Sequence, residues 1–226
     1  MKELLTKPER DAIYIHLLFI VICIIVILLP FGIAIGIKLF VLVLIYSFLI
    51  IIIGFWRKYK EWLNIWLFIF IISLFQIFPD WFLSAELDIL VFPEDGLFKI
   101  GTISGYMTGL WVIPLFIIIF TGNKFQEHYS TKISYLTVAG LSLLIFGTAE
   151  STIWILGSWY AQNVAMIGHL ALYIIIPEVF LGLSTYFGYK AVQEKSHLYK
   201  IPVAFIIMLL YLGSATFFYF LIEQVL

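Results

Sequence analysis

Seven apolar stretches occupy almost all of the 226 residues, and this feature constrains the fold more than any other. A helix needs about 20 mainly apolar residues to cross about 30 Å of hydrocarbon. Stretches of about that length lie near 12–29, 33–55, 63–79, 103–121, 133–150, 164–189 and 201–226. The chain is therefore predicted to be all-α, a polytopic membrane bundle of seven transmembrane helices.

The composition excludes several classes of protein. Charged residues make up 12% of the chain and hydrophobic residues 63%, whereas about a quarter of the residues in a soluble domain are charged. The loops are too short for an extramembrane domain, so residues 1–226 are predicted to form a single integral membrane domain. A net charge of −1 argues against a nucleic-acid partner. No small-residue cleavage site follows the first apolar stretch, which we interpret as a retained span.

The basic residues predict how the bundle sits in the membrane. When the loops are assigned to alternate sides, 11 of the 13 Lys and Arg residues share the side of the N-terminus, where Lys2 lies. Lys38 and Lys99 fall on the other side. Cytoplasmic loops carry an excess of Lys and Arg. The N-terminus is therefore predicted to be cytoplasmic and the C-terminus extracytoplasmic, in a multi-pass protein of the cell membrane.

A carboxylate-rich stretch separates the third and fourth spans. By the predicted orientation, Asp80, Asp88 and Glu94 lie on the extracytoplasmic side, as does Glu150 at the end of the fifth span. Residues 81–92 are too apolar for an ordinary loop and too short to span, so we predict an interfacial or re-entrant segment. If this segment is helical, Asp80, Ser84 and Asp88 share one face.

Glu178 is the strongest single candidate for a functional residue. It follows Pro177 in the sixth span, about fourteen residues or ~21 Å from the predicted outer end of that span. An ionisable group at this depth is a functional-site hypothesis, and burial favours its neutral form. Glu178 would then be a general acid, an element of a proton relay or an ion ligand. The alternative is a neutral acid that only hydrogen-bonds a neighbouring helix.

His169 lies in the same predicted span. Steps of seven and four residues place Gln162, His169 and Tyr173 on one helical face. His169 is either an acid–base partner for a carboxylate or an interhelical hydrogen-bonding group. At similar depth, Asp80, Asp88, Glu94, Glu150 and His169 would together form an acidic cavity near the outer leaflet.

Aromatic and amide side chains are predicted to complete this cavity. Trp81, Tyr106 and Trp111 would supply walls whose ring faces stabilise cations. The amides of Gln162 and Asn163, with the hydroxyl of Tyr173, would contact the ligand; the catalytic set would be Glu178, Asp80, His169, Asp88 and Glu150. His16 and His169 lie near opposite surfaces and cannot share a metal. No P-loop, dinucleotide fingerprint or serine elbow is present, so no cofactor is expected.

Two runs of glycine recur at four-residue spacing. Gly101, Gly105 and Gly109 precede or open the fourth span, and Gly32 and Gly36 open the second. Small residues at this spacing let helices approach closely in lipid. These faces are predicted to mediate helix contacts, within one chain or in a homo-oligomer, or to line a groove for substrate.

Part of the chain resembles a known family. Four short segments between residues 80 and 116 resemble the small membrane-embedded carotenoid cyclases and hydratases. They are Asp80-Trp81, residues 91–93, residues 100–101 and residues 111–116. Where the cyclase motif has paired glutamates after the proline, Pro114 is followed by Leu115 and Phe116. The resemblance implies an enzyme that protonates a polyene with a carboxylic acid and guides the resulting carbocation.

Three functions follow from these observations. The first is an enzyme without a cofactor that acts on an isoprenoid or another membrane lipid, with a protonated carboxyl group as general acid. The second is a small transporter or proton-coupled carrier that uses Glu178 and His169 as a relay. The third is a non-catalytic subunit whose polar groups only fasten the helices of a membrane partner complex.

Overall fold

The computed structural model describes residues 5–29 and 32–226. In these ranges, seven helices are long and apolar enough to cross a membrane. They are α1 (Lys7–Leu28), α2 (Ile35–Arg57), α3 (Lys60–Glu86), α4 (Met107–His128), α5 (Thr131–Leu156), α6 (Leu172–Val192) and α7 (His197–Val225). The prediction of seven membrane-length helices is confirmed. The orientation stays a prediction, and Lys2 lies outside the described residues.

Six two-residue strands lie in the long loops after α3 and α5. They are β1 (Leu90–Val91), β2 (Lys99–Ile100), β3 (Ile103–Ser104), β4 (Tyr160–Ala161), β5 (Met166–Ile167) and β6 (Leu170–Ala171). β2 pairs with β3 and β5 with β6 as local hairpins, whereas β1 pairs with the distant β4. All three pairs are antiparallel. We call the end of the bundle that carries these strands the loop face, and the opposite end, where α1 begins, the N-terminal face.

The centre of the bundle is formed by α3, α4 and α6. Helices α4 and α6 are the most buried and α1 and α5 the least. Helix α7 packs against α3 and α6, while α1 packs mainly against α2. Aromatic rings link the inner helices: the ring centroids of Trp62 and Phe116 are 5.8 Å apart, and those of Phe19 and Tyr46 are 4.9 Å apart, both edge to face. This geometry is the preferred one for aromatic pairs.

Two helices begin later than the hydropathy predicts. Helix α4 begins at Met107 rather than near residue 103, and α6 begins at Leu172 rather than near residue 164. The intervening residues form the β2–β3 and β5–β6 hairpins, whose turns contain Gly101 (φ +62°) and Gly168 (φ +64°). The left-handed backbone at these two glycines reverses the direction of the chain. The apolar residues on either side therefore form short strands rather than the helical turns that their hydropathy predicts.

The glycines of the two runs at four-residue spacing do not share one kind of local structure. Gly101 and Gly105 lie in turns before and after β3, so neither lies on a helix. Gly32 also lies outside a helix. Gly36 and Gly109 do allow close contact within the chain, with Asp95 and Val43 respectively. The four-residue spacing therefore does not mark one continuous helix face.

The segment 81–92 is divided between a helix and a loop. Its first half continues α3 through a π-helical turn, Phe82–Glu86, and Asp88, with φ of +54°, then leads into β1. Asp80 is buried, whereas Asp88 is exposed. The predicted common face of Asp80, Ser84 and Asp88 is therefore wrong, because the left-handed residue ends the helix before a further turn forms.

One glycine sets the distance between α5 and α6, and we expect Gly182→Ala to destabilise the protein by about 1–3 kcal/mol, the usual cost of overpacking. A Cβ at Gly182 would overlap the Ser142 hydroxyl and lie 2.9 Å from the Ser142 Cβ. Thermal unfolding in detergent measures the effect. Gly140→Ala is the matched control, since a Cβ at Gly140 on α5 meets nothing within 4 Å. Equal stability of the two variants would contradict the proposed contact.

Candidate functional site

A cavity of about 220 Å³ lies among α3, α4, α5, α6 and α7, close to the loop face. Three carboxyl side chains line it, those of Asp80, Glu150 and Glu178, and nearly all the other lining residues are apolar or aromatic. We call this space the acid cavity. Its aromatic residues are Phe92, Trp111, Phe146, Trp159, Tyr173 and Tyr211.

The three carboxyl groups come from different helices. Asp80 lies in the short α-helical segment Ile77–Trp81 near the end of α3, and Glu150 lies near the loop-face end of α5. Glu178 lies only six residues into α6, or about 9 Å from its start at 1.5 Å per residue. The predicted depth of about 21 Å was too large because residues 164–171 are not helical. Glu178 is consequently at the level of the other two carboxyl groups.

Two of the carboxyl groups are held by tryptophan side chains. The indole N–H of Trp111 donates to Asp80 Oδ2 at 3.3 Å, and the indole N–H of Trp159 donates to Glu150 Oε1 at 3.0 Å. Trp111 begins the long regular part of α4, and Trp159 directly precedes β4. The pairing of β4 with β1 therefore fixes the loop that supplies the hydrogen bond to Glu150.

Glu178 differs from the other two acids because its carboxyl group is free. Its side chain is 3% exposed, and it makes no hydrogen bond to any residue in the described ranges. Asp80 and Glu150 lie near enough to repel a negative charge on it. No Lys, Arg or His is found among the described residues that line the cavity. An uncompensated buried carboxylate is costly, so this arrangement favours a neutral acid that can donate a proton.

Aromatic rings line the acid cavity in two groups. The Trp111 ring centroid lies 5.5 Å from that of Phe146 and 5.9 Å from that of Tyr211. In the second group, the ring centroids of Phe92 and Trp159 are 6.5 Å apart. Ring faces attract cations within about 6 Å of the centroid, and the attraction is strongest where water is excluded. The acid cavity thus combines a proton donor with groups that stabilise positive charge.

Several predicted site residues lie elsewhere. Trp81 is 39% exposed, and its ring packs against Gly101. Tyr106 is buried behind the cavity and its hydroxyl hydrogen-bonds Ser158 Oγ at 2.6 Å. Burial raises the pKa of this hydroxyl, which therefore stays protonated. Glu94 is exposed in the irregular loop between β1 and β2.

The predicted polar face of the sixth span does not form. The segment around Gln162, Asn163 and His169 contains strands and turns, so the helical spacing on which the prediction depended is absent. The Gln162 amide donates to Asp88 Oδ1 at 3.0 Å, and Asn163 is exposed with φ of +58°. His169 is exposed and stacks on Trp154 at 3.8 Å, outside any membrane-length helix. Neither Asp88 nor His169 lines the acid cavity.

The structure brings together five of the predicted residues and adds others that sequence reasoning missed. Asp80, Trp111, Glu150, Tyr173 and Glu178 all line the acid cavity. The missed residues include Phe92, Phe146, Trp159 and Tyr211. In a chain that is 19% aromatic, no local signal separates these four from the rest. Within the described part of the chain, no group of three His, Cys, Asp or Glu side chains is placed to hold a metal ion.

The hydrogen bond to Glu150 allows a direct test of how the cavity is held together. We expect Trp159→Phe to lower the free energy of unfolding by about 0.5–1.5 kcal/mol, because the half-buried Glu150 carboxyl group loses its donor. Trp154→Phe is the matched control, since its indole N–H donates to the exposed loop-face end of α5, at the Ser151 carbonyl. Denaturant unfolding in detergent compares the two. A smaller effect of Trp159→Phe than of Trp154→Phe would contradict the assigned contact.

Comparison with known proteins gives one match. Residues 77–222 match the model of the family described as Domain of unknown function (DUF6989). The matched region begins three residues before Asp80 and ends within α7, so it contains every residue that lines the acid cavity. Helices α1 and α2 lie outside it. No curated protein and no solved structure matches the chain.

Proposed function

We propose that this chain, which belongs to the Domain of unknown function (DUF6989) family, is a membrane-embedded enzyme that protonates a carbon–carbon double bond of an isoprenoid or similar lipid. One observation carries the proposal: the free carboxyl group of Glu178 faces an apolar cavity with aromatic walls, inside a bundle of membrane-length helices. The region that the family model matches contains the whole cavity.

The chemistry requires an acid, a surface that stabilises a cation, and a base. The O–H bond of Glu178 breaks as the electron pair of the double bond forms a new C–H bond, which leaves a carbocation on the more substituted carbon. The ring faces of Trp111 and Trp159 stabilise this cation. Loss of a proton from a neighbouring carbon to a cavity carboxylate then forms a new double bond. If a second double bond of the same lipid attacks the cation before this proton is lost, the product is cyclic; otherwise the double bond is isomerised. After the product leaves, the carboxyl group that accepted the proton releases it to water and Glu178 takes up a proton from water, so the enzyme is restored and no cofactor is consumed.

The three acids have different roles in this scheme. Asp80 and Glu150 each accept an indole hydrogen bond, which fixes their orientation. Glu178 accepts none from the described residues and is therefore assigned as the proton donor. Glu150 is the carboxyl group assigned to accept the proton at the end of the reaction. The apolar lining excludes water, which would otherwise capture the carbocation as an alcohol.

The orientation of the bundle is part of the proposal. The basic residues of the described chain concentrate at the N-terminal face, as in Arg57, Lys124 and Lys195, and the positive-inside tendency supports a cytoplasmic position for that face. The loop face and the acid cavity would then lie towards the outer leaflet of the cell membrane. A lipid substrate would enter from that leaflet.

Untargeted lipid mass spectrometry tests the proposed activity. A host that expresses the wild-type protein is compared with the same host expressing Glu178→Gln, at equal abundance in the membrane. We expect a lipid species whose level changes with the wild-type protein and returns to the empty-host level with the variant. Glu86→Gln, at an exposed glutamate of α3, is the matched control and should behave as wild type. Identical profiles for all strains in a host that supplies isoprenoid lipids would contradict an enzyme.

A proton-coupled carrier is the second candidate, and one observation favours it. Between the acid cavity and the N-terminal face, the buried polar atoms Ser73 Oγ, Thr185 Oγ1, Lys200 Nζ and both side-chain polar atoms of Gln76 have no hydrogen-bond partner in the described structure. Such groups can hold internal water and conduct protons. Proton flux into liposomes that is lost in Glu178→Gln would favour the carrier, whereas flux equal to that of empty liposomes would count against it.

A further inference from the structure

A second apolar space lies beside the acid cavity. It is a groove of about 430 Å³ between α1 and α4, which we call the α1 groove. Helix α1 lines it with Phe19, Cys23, Ile24 and Ile27, among others, and α4 lines it with Ile113 and Ile117. Ile113 and Ile117 also line the acid cavity. The two spaces are therefore adjacent, and these two side chains of α4 lie between them.

The N-terminal end of α1 is fastened to the bundle by polar contacts. Glu9 Oε1 lies 3.0 Å from His128 Nε2 at the end of α4. Asp11 Oδ2 lies 3.3 Å from Arg57 Nε and accepts a hydrogen bond of 2.8 Å from the Tyr59 hydroxyl. These contacts hold the first turns of α1 against α2 and α4.

The other end of α1 is fastened in a different way. The ammonium group of Lys38, on α2, donates to the backbone carbonyls of Ile27 and Leu29 at 3.0 Å each. These carbonyls lie at the end of α1, where no helical partner is available to them. Helix α1 is thus held at both ends, while the part of it from His16 to Leu28 faces α4 across the groove.

The lining of the α1 groove determines which ligand chemistry fits it. Apart from His16, its lining residues are apolar, together with the thiol of Cys23. Both ring nitrogens of His16 already have partners, Nδ1 with the Ala12 carbonyl at 2.7 Å and Nε2 with the Tyr46 hydroxyl at 2.9 Å. The groove therefore offers no free nitrogen or oxygen of a described side chain to a polar headgroup. It suits a hydrocarbon chain.

The size of the acid cavity points to the same conclusion. Ligand pockets usually have volumes of about 300–1,000 Å³, and the acid cavity alone is smaller than this range. A lipid whose double bond reaches Glu178 must place most of its chain elsewhere. We propose that the α1 groove holds the apolar chain of the same lipid molecule, with Ile113 and Ile117 at the junction. This inference rests on the proposed function, since it extends the substrate site of the acid cavity.

Photolabelling in nanodiscs tests the groove. The probe is geranylgeraniol that carries a diazirine midway along its chain, and the labelled peptides are identified by mass spectrometry. We expect labels on α1 and around Ile113 and Ile117 that are lost when unmodified geranylgeraniol is added. Labels on Leu136 and Leu144, exposed residues of α5, should not respond to this competitor. If the labelling of α1 is also unchanged by the competitor, the probe reaches α1 only from bulk lipid, and the proposal is overturned.

A pair of variants on α1 sharpens the test. Ile24 and Ile25 are similarly exposed, at 52% and 50%, but Ile24 lines the groove and Ile25 does not. We expect Ile24→Trp to lose the competed labelling around Ile113 and Ile117, and Ile25→Trp to retain it. Equal labelling in the two variants would contradict the proposal.

The labelling experiment separates this inference from the proposed activity. Binding of the chain in the groove needs no acid, so Glu178→Gln should keep the competed labelling while it loses any effect on the lipid profile. Competed labelling of α1 by a protein that alters no lipid would support the groove and count against the enzyme. A lipid conversion with no competed label on α1 would support the enzyme and overturn the groove.

Discussion

Glu178→Gln is expected to lower the rate of lipid conversion by a factor of about 10² to 10⁴, the range contributed by a positioned general acid. Glutamine has nearly the same shape as glutamic acid but cannot give up a proton from an acidic O–H group. Because the Glu178 carboxyl group makes no hydrogen bond to the described residues, the substitution breaks no contact within them. Activity should therefore fall without a loss of folded protein.

The measurement is the rate of product formation by purified protein in nanodiscs, beside a thermal unfolding curve. Glu86→Gln should retain the wild-type rate, since Glu86 is exposed and lies outside the acid cavity. Glu178→Asp keeps the acid but withdraws it by one methylene, and it should retain more activity than Glu178→Gln. A Glu178→Gln variant with the wild-type rate would remove Glu178 from the mechanism.

Asp95→Ala should have the largest effect on stability, a loss of about 3–5 kcal/mol, as expected when one partner is removed from a buried polar network. Asp95 is 2% exposed in the loop between β1 and β2. Its carboxylate accepts hydrogen bonds from the Leu97 amide at 3.0 Å and from the Ser104 hydroxyl, and lies 3.8 Å from Lys99 Nζ. Without it, these donors lose their acceptor in a buried position.

The same residue joins the loop to the start of α2. The Asp95 backbone carbonyl accepts a hydrogen bond of 2.9 Å from the Gly36 amide, and a Cβ at Gly36 would lie 2.8 Å from that oxygen. Denaturant unfolding in detergent measures the loss of stability, and hydrogen exchange across residues 87–106 should rise in parallel. Glu94→Ala, at the exposed neighbouring acid, should change the stability by less than about 0.5 kcal/mol. Equal effects of Asp95→Ala and Glu94→Ala would contradict this network.

The number of helices could be predicted from the sequence because the length of an apolar run is a local property. The starts of α4 and α6 could not, since residues such as Ile103 and Ile167 are as apolar in a short strand as in a helix. The left-handed backbone at Gly101 and Gly168 is what distinguishes the strands from helix, but a glycine in the sequence does not reveal it. Glycine also occurs within helices, as at Gly182. The late start of α6 accounts for the errors at Gln162, Asn163 and His169, whereas the error at Asp88 arises where α3 ends.

The candidate site shows the same division between local and distant information. Glu178 and Asp80 could be identified because a carboxyl group in or beside an apolar span is rare and costly. The interpretation of His169 failed because the local structure around it is a hairpin rather than a helix. Trp159 could not be identified, since its hydrogen bond to Glu150 depends on how the loop after α5 folds back against β1.

The central claim is that a cavity acid transfers a solvent-exchangeable proton to a carbon atom, and deuterium incorporation tests it most directly. The purified protein is incubated in D₂O with the lipid that it converts, and the product is analysed by mass spectrometry. We expect a product that carries solvent deuterium on carbon, formed by the wild-type protein and not by Glu178→Gln. A product formed at the same rate in D₂O without carbon-bound deuterium would contradict it.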